Sequence, residues 1–348
     1  MGYPWYATRG DVKGALDVKE TARANVLVDR AAASGSRAVE SLLSRVFYPT
    51  TATRYFDWPN DQYARPWRLW LNDNELLSVT TLTSGGTTIG ASGYFLEPAN
   101  YGPPYDRVEI NLASASAFTT GSTHQRAIAI TGVWGYDNRT APAGALAGAI
   151  NASVTTVAVT DSSLVDAGSL LLADTERLMV TGQAMITTGQ TLQTATLASS
   201  AAATTVAVTT GSGYAVGETI LIDSERMLIV DIASNSLTVR RSWDGSTLAA
   251  HTSGATIFAP RSLTVTRGAT GSTAASHLDA APLTTQLYPS LVRELAIAEA
   301  VNLLRQEGSA YSGTVGADPA QSASGGGLGS IRAMAYAQYG RKARQRAV

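Results

Sequence analysis

Residues 155–160 read Thr-Thr-Val-Ala-Val-Thr, and the same six residues return at 204–209. The match extends for 28 residues without a gap at a constant offset of 49, and it includes Asp-Thr-Glu-Arg (174–177) and Asp-Ser-Glu-Arg (223–226). Both copies are rich in β-branched residues and are punctuated by turn residues. The chain therefore contains a repeated unit that should fold as a compact β module.

A second pair of related segments follows at a different spacing. Ser-Leu-Thr-Val-Arg-Arg-Ser-Trp-Asp-Gly-Ser-Thr (236–247) matches Ser-Leu-Thr-Val-Thr-Arg-Gly-Ala-Thr-Gly-Ser-Thr (262–273) at an offset of 26. The match continues to His251 against His277. A simple tandem duplication keeps one offset, whereas the offset here changes between the two halves.

The change of offset predicts that one copy is nested inside the other. In this interpretation a module begins near Gly148, is interrupted after about Gln190 by a full second copy, and resumes near Ser262. The competing interpretation is a decayed first copy that ends in its own tail, residues 190–197, and is followed by a lone half-copy.

The composition of the 348 residues favours a folded, soluble protein and excludes several chemistries. The net charge is −1, 45% of the residues are hydrophobic, and no apolar run is long enough to span a bilayer. Without cysteine there is no disulfide, thiolate nucleophile or cysteine-based zinc site. The first residues lack the features of a signal peptide, so we expect no standard secretory export. We also expect no enzymatic activity, no cofactor and no bound metal ion.

Two stretches outside the repeat are predicted to be helical. Between about residues 11 and 47 apolar residues recur at helical spacing, and the longer part begins near Lys19. Its apolar stripe comprises Val28, Ala31, Ala32, Gly35, Val39, Leu42, Leu43 and Val46. Gly35 indicates either a close helix approach or a bend. A late helix, residues 291–306 after the N-cap Ser290, has apolar residues around most of its circumference, which suits contact from several sides.

These patterns divide the chain into five segments. They are residues 1–48 with the N-terminal helices, 49–144 with short antiparallel strands, 145–286 with the repeated modules (second copy about 196–260), 287–308 with the late helix, and 309–348. The last segment is predicted to contain a flexible linker rich in Gly, Ser and Ala, to about residue 330, and then a basic arm.

Two pairs of carboxylates lie two residues apart: Asp174 with Glu176, and Asp223 with Glu225. On a strand each pair shares one face and could present a hard cation. Two such side chains supply too few ligands, however, and the arginine that follows each pair could neutralise its neighbour. A role in the strand and turn is therefore favoured over a metal site.

The few histidines also favour structure over catalysis. His251 and His277 occupy equivalent positions in the two module tails, which argues for a repeated structural hydrogen bond. No Gly-x-Ser-x-Gly elbow and no His-Glu-x-x-His helix is present in the sequence.

The C-terminal arm is the predicted partner-binding site. It carries Arg332, Tyr336, Tyr339, Arg341, Lys342, Arg344 and Arg346, and no acidic residue. Its charges could contact nucleic-acid phosphates in a salt-sensitive manner, or dock into an acidic groove of a protein partner. A solvated tail is the third interpretation.

Three segments outside the repeat carry a family resemblance: WRLWLNDNELLSVTTLTSGG (67–86), YFLEPANYGPPYDRVEI (94–110) and AIAITGVWGY (127–136). Together with the early helices and the late helix they resemble the head–tail connector, or adaptor, proteins of tailed bacteriophages. The segment GETILIDSERMLIV (217–230) is similar to small β modules of phage virion proteins, including connectors that carry insertions.

The resemblance implies an α+β fold: a helical-bundle connector core, a small antiparallel β region and an inserted pair of nested β modules. It implies a structural virion protein, made in the cytoplasm of a bacterial host and located at the head–tail interface. Copies would form a ring, commonly of twelve, that sits beneath the portal and joins it to tail or neck completion proteins, with no membrane involved. The helices would build the ring wall, and the C-terminal arm would reach the portal or the packaged DNA.

Two other classes of function stay open. A tail-fibre or baseplate component would bind host carbohydrate through its β modules, with Trp243 as a stacking platform, although the residue at the matching position is Ala269. A hydrolase is the third class, and the sequence shows no convergent set of catalytic residue types for it. Oligomer symmetry and turnover assays distinguish the three.

Overall fold

The computed structural model describes residues 3–16, 25–59, 65–308 and 327–341. The chain divides into two compact units. The first comprises Met1–Leu43, Thr140–Ala269 and Thr273–Gly340, and the second comprises Ser44–Arg139, Thr270–Ser272 and Arg341–Val348.

The described residues form four α-helices and nineteen β-strands. The helices are α1 (Arg9–Ala15), α2 (Asn25–Leu43), α3 (Ser290–Gly308) and α4 (Leu328–Tyr339). The strands are β1 (Thr50–Phe56), β2 (Arg68–Trp70), β3 (Leu76–Ser84), β4 (Thr87–Ile89), β5 (Tyr94–Glu97), β6 (Arg107–Ile110), β7 (Ile128–Trp134), β8 (Thr140–Ala145), β9 (Thr156–Ala158), β10 (Leu170–Ala173), β11 (Glu176–Thr191), β12 (Thr196–Leu197), β13 (Thr205–Ala207), β14 (Thr219–Ile222), β15 (Glu225–Ala233), β16 (Ser236–Arg240), β17 (His251–Thr252), β18 (Thr256–Thr266) and β19 (Pro282–Gln286).

The second unit is built from two small antiparallel sheets. One has the strand order β1-β7-β3-β4, and the other has the order β2-β6-β5. Strand β7 alternates buried and half-buried residues, so that Ile128, Ile130 and Trp134 point into the core. The fully buried Trp134 satisfies its indole by donating Nε1–H to the Ala52 carbonyl at 2.9 Å.

In the first unit both repeated copies belong to one antiparallel sheet of ten strands. Its order is β13-β16-β15-β14-β18-β11-β10-β19-β8, and β9 also pairs with β18. Strand β18 links the copies, because it pairs with β11 over most of its length and with β14 through Ile257 and Phe258. We call residues 140–191 with 256–286 the first module, and residues 192–255 the second module.

Each module has its own buried core. The cluster of the first module includes Leu178 and Leu263, which lie on opposite sides of the second module in the sequence. A separate cluster is formed by residues of the second module together with Ile257. The first module is therefore completed only after the chain has left it, built the second module and returned.

The two modules share their hairpin register. Ala173 pairs with Glu176 between β10 and β11, and Ile222 pairs with Glu225 between β14 and β15. Both pairs close a two-residue turn, and all four positions are related by the offset of 49. The repeated sequence therefore produces a repeated local structure.

The helices of the first unit pack on one another and on the first module. An added Cβ at Gly35 of α2 would lie 2.8 Å from the Ala296 carbonyl oxygen of α3, so this glycine marks a close helix approach. Helix α1 donates its Arg9 N–H to the Ala167 carbonyl at 2.9 Å, and a capping box between Thr8 and Asp11 begins the helix. None of the helices described is long and apolar enough to cross a membrane.

Helix α2 ends earlier than the apolar stripe suggested. Residues 17–24, where the longer helix was expected to begin, lie outside the described residues. The helix ends at Leu43, and the side chain of Val46, which was assigned to the stripe, is 38% exposed. Val28 and Val39 are fully buried, as a core-facing stripe requires.

The prediction of a helical-bundle connector core is wrong. The described residues are mostly β, with four helices against four sheets, one of them ten-stranded. Three clusters of buried apolar residues draw their members from the strands and the loops between them. Apolar stripes on two helices suggested a bundle, but much of the apolar sequence lies in strands, and the helices belong to the same compact unit as the large sheet.

Candidate functional site

Each module encloses a buried cluster built around one glutamate. In the second module, Arg241 donates Nε and Nη2 to the two carboxylate oxygens of Glu225, both at 2.8 Å. The backbone N–H groups of Ser242 and Ala249 donate to the same carboxylate at 2.9 and 3.0 Å, and His251 Nε2 lies 2.9 Å from it. The side chains of Arg241 and Glu225 are 1% and 0% exposed.

The first module contains the same cluster around Glu176. Arg267 donates Nε and Nη2 to its carboxylate at 2.8 and 2.7 Å. The N–H groups of Gly268 and Ala275 donate at 2.9 Å each, and His277 Nε2 lies 2.9 Å away. The glutamate is related to its counterpart by the offset of 49, and the four donors are related to theirs by the offset of 26. The cluster thus joins segments from both sides of the second module.

The histidines connect these clusters to the hairpin turns. His251 Nδ1 lies 2.7 Å from Asp223 Oδ2, and His277 Nδ1 lies 2.8 Å from Asp174 Oδ2. Both aspartates have left-handed backbone, with φ of 51° and 50°, a conformation that Asp tolerates better than most residues. Each imidazole therefore lies between the turn aspartate and the buried glutamate of its module, with one ring nitrogen facing each carboxylate.

The electrostatics of the two glutamates are dominated by their donors. Burial by itself would raise the pKa of each carboxyl, but the hydrogen bonds from the arginine, the two backbone N–H groups and the histidine outweigh it. The pKa of Glu225 is lowered to about 2, and that of Glu176 is likewise lowered to about 2. Both glutamates are therefore ionised and fully engaged at neutral pH.

The arginines have further acceptors that close the clusters. Arg241 Nη1 donates to the carbonyls of Ala198 and Ala203 at 3.1 and 2.9 Å. The equivalent acceptors of Arg267 Nη1 are the carbonyls of Asn151 and Val154. Each guanidinium therefore binds three chain segments at once and fixes the loops at one end of its module.

The geometry of these clusters suits a structural role. In the part of the chain that the structure describes, no group of three or more His, Asp or Glu side chains is arranged to hold a metal ion. The arginine that follows Glu225 in sequence does not neutralise it, because Arg226 Nη1 pairs with Asp244 at 2.6 Å. Only the aspartates are open to solvent, since the side chains of Asp174 and Asp223 are each 62% exposed.

A further buried ion pair fastens the second module to the first. Arg261 on β18 donates Nε and Nη2 to Glu218 at 2.7 and 2.6 Å. Ser162 of the first module donates its hydroxyl to the same carboxylate at 2.8 Å. The repeated sequence did not predict this pair. Glu218 matches Ser169 in the first copy, and Arg261 lies just before the segment 262–273 that matches 236–247.

The predicted partner-binding residues do not form one cluster. Residues 328–339 form α4 rather than a tethered arm, and Arg332 on this helix pairs with Glu299 through Nε and Nη2 at 2.6 and 2.8 Å. Tyr336 is 44% exposed and Tyr339 is half-buried. Arg341 belongs to the second unit, where its Nη2 lies 2.7 Å from Glu75 Oε1.

The rest of the predicted arm lies outside the described residues. This applies to Lys342, Arg344 and Arg346, and to most of the expected flexible linker, residues 309–326. The sequence analysis did not identify the acidic partners of the described arginines, Glu299 for Arg332 and Glu75 for Arg341. The hydrogen bond to Glu299 raises the pKa of Arg332, and Glu299 itself is nearly buried on α3.

Comparison with known proteins does not identify a family. No family model matches the chain, and no curated protein or solved structure matches it significantly. Function must therefore be argued from the residues and their geometry.

Replacing Glu225 with Gln should destabilise the second module by about 3–5 kcal/mol, because the buried Arg241 loses its counter-charge. Asp223→Asn is the matched control: its side chain is largely exposed and the amide oxygen still accepts a hydrogen bond, so we expect a loss below about 1 kcal/mol. Thermal and urea unfolding of the two variants measure the difference. Equal stabilities would show that the buried cluster does not hold the module together.

Acid should weaken both modules in a defined pH range. Because the folded pKa of Glu176 and Glu225 is about 2 against an ordinary value of 4.5, their contribution is complete above about pH 4.5 and is lost as pH falls towards 2. The shift corresponds to about 3 kcal/mol for each glutamate. Melting curves at pH 7, 4 and 3 should show the stability gap between wild type and Glu225→Gln shrinking. A constant gap across this range would contradict the assignment.

Proposed function

We propose that this chain is a structural virion protein that acts as a head–tail adaptor of a tailed bacteriophage. Copies would form a ring, with twelve expected, under the portal and would join it to tail or neck completion proteins. The protein would be made in the host cytoplasm and located at the head–tail interface of the virion. The resemblance of the early helices, the segments within residues 67–136 and the late helix to head–tail connectors supports this assignment.

The observation that best supports a structural role is the closure of the two glutamate clusters. Catalysis requires an acid, base or nucleophile that can reach a substrate. Glu176 and Glu225 are fully buried, and each accepts hydrogen bonds from an arginine, a histidine and two backbone groups. Such residues stabilise loops and do not transfer protons to a ligand.

The paired arginines favour a protein partner over DNA for the described part of the C-terminal region. Arg332 and Arg341 are neutralised by Glu299 and Glu75, so they add little positive field to a DNA channel. Helix α4 instead exposes Met334 at 51% and Tyr336 at 44%, which suits contact with a protein surface. We therefore propose that α4 meets the portal or a neighbouring neck protein.

The carbohydrate-binding alternative has less support. A sugar platform needs an open aromatic face, but the guanidinium of Arg240 lies 5.0 Å from the ring centroid of Trp243. This stacking occupies one face of the ring. The tail-fibre or baseplate interpretation stays the alternative that glycan-binding assays would test.

Cryo-electron microscopy of the purified chain and of virions that contain it tests the proposed function. We expect a closed ring, near twelve-fold, between portal and tail. Met334→Glu and Tyr336→Glu should reduce incorporation into particles at least several-fold, because each places a charge in the proposed interface. Leu278→Glu, at a residue 80% exposed elsewhere, is the control and should incorporate normally. A trimer at a fibre tip, or unchanged incorporation of both α4 variants, would refute the proposal.

A further inference from the structure

The first module binds the N-terminal segment of its own chain on one face. The ring of Trp5 packs on Gly168, where an added Cβ would lie 2.4 Å from Trp5 Cε3. The Arg9 N–H donates to the Ala167 carbonyl at 2.9 Å, and its guanidinium lies 3.5 Å from the Thr181 carbonyl. As a result Ala167 is completely buried.

The second module presents the equivalent face to solvent. At the offset of 49, Ala167, Gly168 and Thr181 correspond to Val216, Gly217 and Val230. The contrast lies at the first two positions: Ala167 and Gly168 are buried, whereas Val216 is 56% exposed and Gly217 is exposed. Val230 is 46% exposed, and its counterpart Thr181 is exposed too.

The backbone geometry of this face is conserved between the modules. Gly217 has a φ of +92° and Gly168 a φ of +103°. The Gly217 N–H donates to the Ile229 carbonyl at 2.8 Å, as the Gly168 N–H donates to the Val180 carbonyl at 2.8 Å, so each glycine lies beside the strand that carries the second exposed position.

The face of the second module also has open space above Gly217 and an available acceptor in the Val216 carbonyl. A Cβ added at Gly217 would meet only the Ser163 Cβ at 3.9 Å, so the surface above this glycine is open. No donor in the described ranges reaches the Val216 carbonyl, whereas the matching Ala167 carbonyl accepts from Arg9. The elements that bind an aromatic ring and a backbone N–H in the first module are thus exposed in the second.

The side chains of the two faces differ in polarity. In the first module Asp166 accepts a hydrogen bond from the Gly10 N–H at 2.5 Å, and the corresponding residue of the second module is Ala215. Thr181 likewise corresponds to Val230. The Arg9 guanidinium is paired with Asp29 of α2 at 2.7 Å, so neither changed position supplies its main partner. The second face has lost a carboxylate and a hydroxyl and gained aliphatic groups, and a matching segment should therefore carry an apolar side chain at the position of Arg9, where Val230 offers no acceptor side chain.

We propose that the face formed by Ala215, Val216, Gly217 and Val230 binds a short segment of a partner protein. The segment places an aromatic ring on Gly217, donates a backbone N–H to the Val216 carbonyl, and packs an aliphatic side chain against Val230. The chain's own N-terminal segment, bound to the equivalent face of the first module, defines this chemistry. This site does not depend on the proposed oligomeric ring, and it gives the second module a role in binding another protein.

Synthetic peptides of residues 3–11 (Tyr-Pro-Trp-Tyr-Ala-Thr-Arg-Gly-Asp) test this proposal by calorimetry with the full chain. The peptide that carries Arg9→Leu should bind one site per chain about tenfold more tightly than the unmodified peptide, because an aliphatic group replaces a charge over Val230. The peptide that also carries Trp5→Ala should lose about tenfold or more in affinity. The first module is already occupied by the tethered segment, which competes at high effective concentration.

Chain variants locate the site. Val216→Asp and Val230→Asp should each abolish binding of the Arg9→Leu peptide, whereas Leu278→Asp, at another exposed apolar position, should leave it unchanged. Both valines are exposed, so unaltered melting temperatures are expected and serve as the folding control. Absence of binding at millimolar peptide overturns the proposal. Binding that survives Val216→Asp also overturns it, because the peptide would then be exchanging with the N-terminal segment on the first module.

Discussion

The buried ion pair between Glu176 and Arg267 is the interaction on which the first module depends, since its partners lie 91 residues apart in the chain. A buried pair of charges is costly unless every donor and acceptor is satisfied. Here the backbone N–H of Ala275 and the ring of His277 complete the carboxylate, and carbonyl groups complete the guanidinium. The returning chain therefore has one position in which both charges are satisfied, and that position sets the register of β18 on β11.

The same constraint explains how a module can hold another module without being disrupted. Thr191 and Thr256, which flank the second module, are paired on adjacent strands. The second module is therefore inserted in the first as a hairpin loop would be. The entropic cost of closing a loop grows only slowly with its length, so a long insertion is tolerated. The second module fixes its own loops through Glu225, so its surface can change without disturbing the first. The polar-to-apolar change at Val230 is an example of this freedom.

The sequence predicted local repetition better than the overall packing. The change of offset related the hairpin at Glu176 to the tail at His277, and the structure places their side chains 2.9 Å apart. The helical bundle was wrong as a description of the core. Helix α2 does pack on α3 at Gly35, but the apolar stripes could not show that the same unit contains a ten-stranded sheet. Arg332 was predicted to contact a partner as part of the C-terminal arm, since the sequence alone does not reveal that Glu299 faces it. The pair Arg261–Glu218 left no periodic signal, because Glu218 matches Ser169 in the first copy and Arg261 precedes the second repeat.

Excision of the second module tests the nested architecture most directly. Residues 192–255 would be deleted and Thr191 joined to Thr256 through an Asn-Gly turn, which suits a two-residue hairpin. Nuclear magnetic resonance of the His277 imidazole and a thermal melt would then report on the first module. The account predicts that the His277 signal keeps its hydrogen-bonded character and that the remaining protein melts cooperatively. Loss of that signal together with a non-cooperative melt would contradict the claim that Glu176 and Arg267 hold the two halves together independently of the insertion.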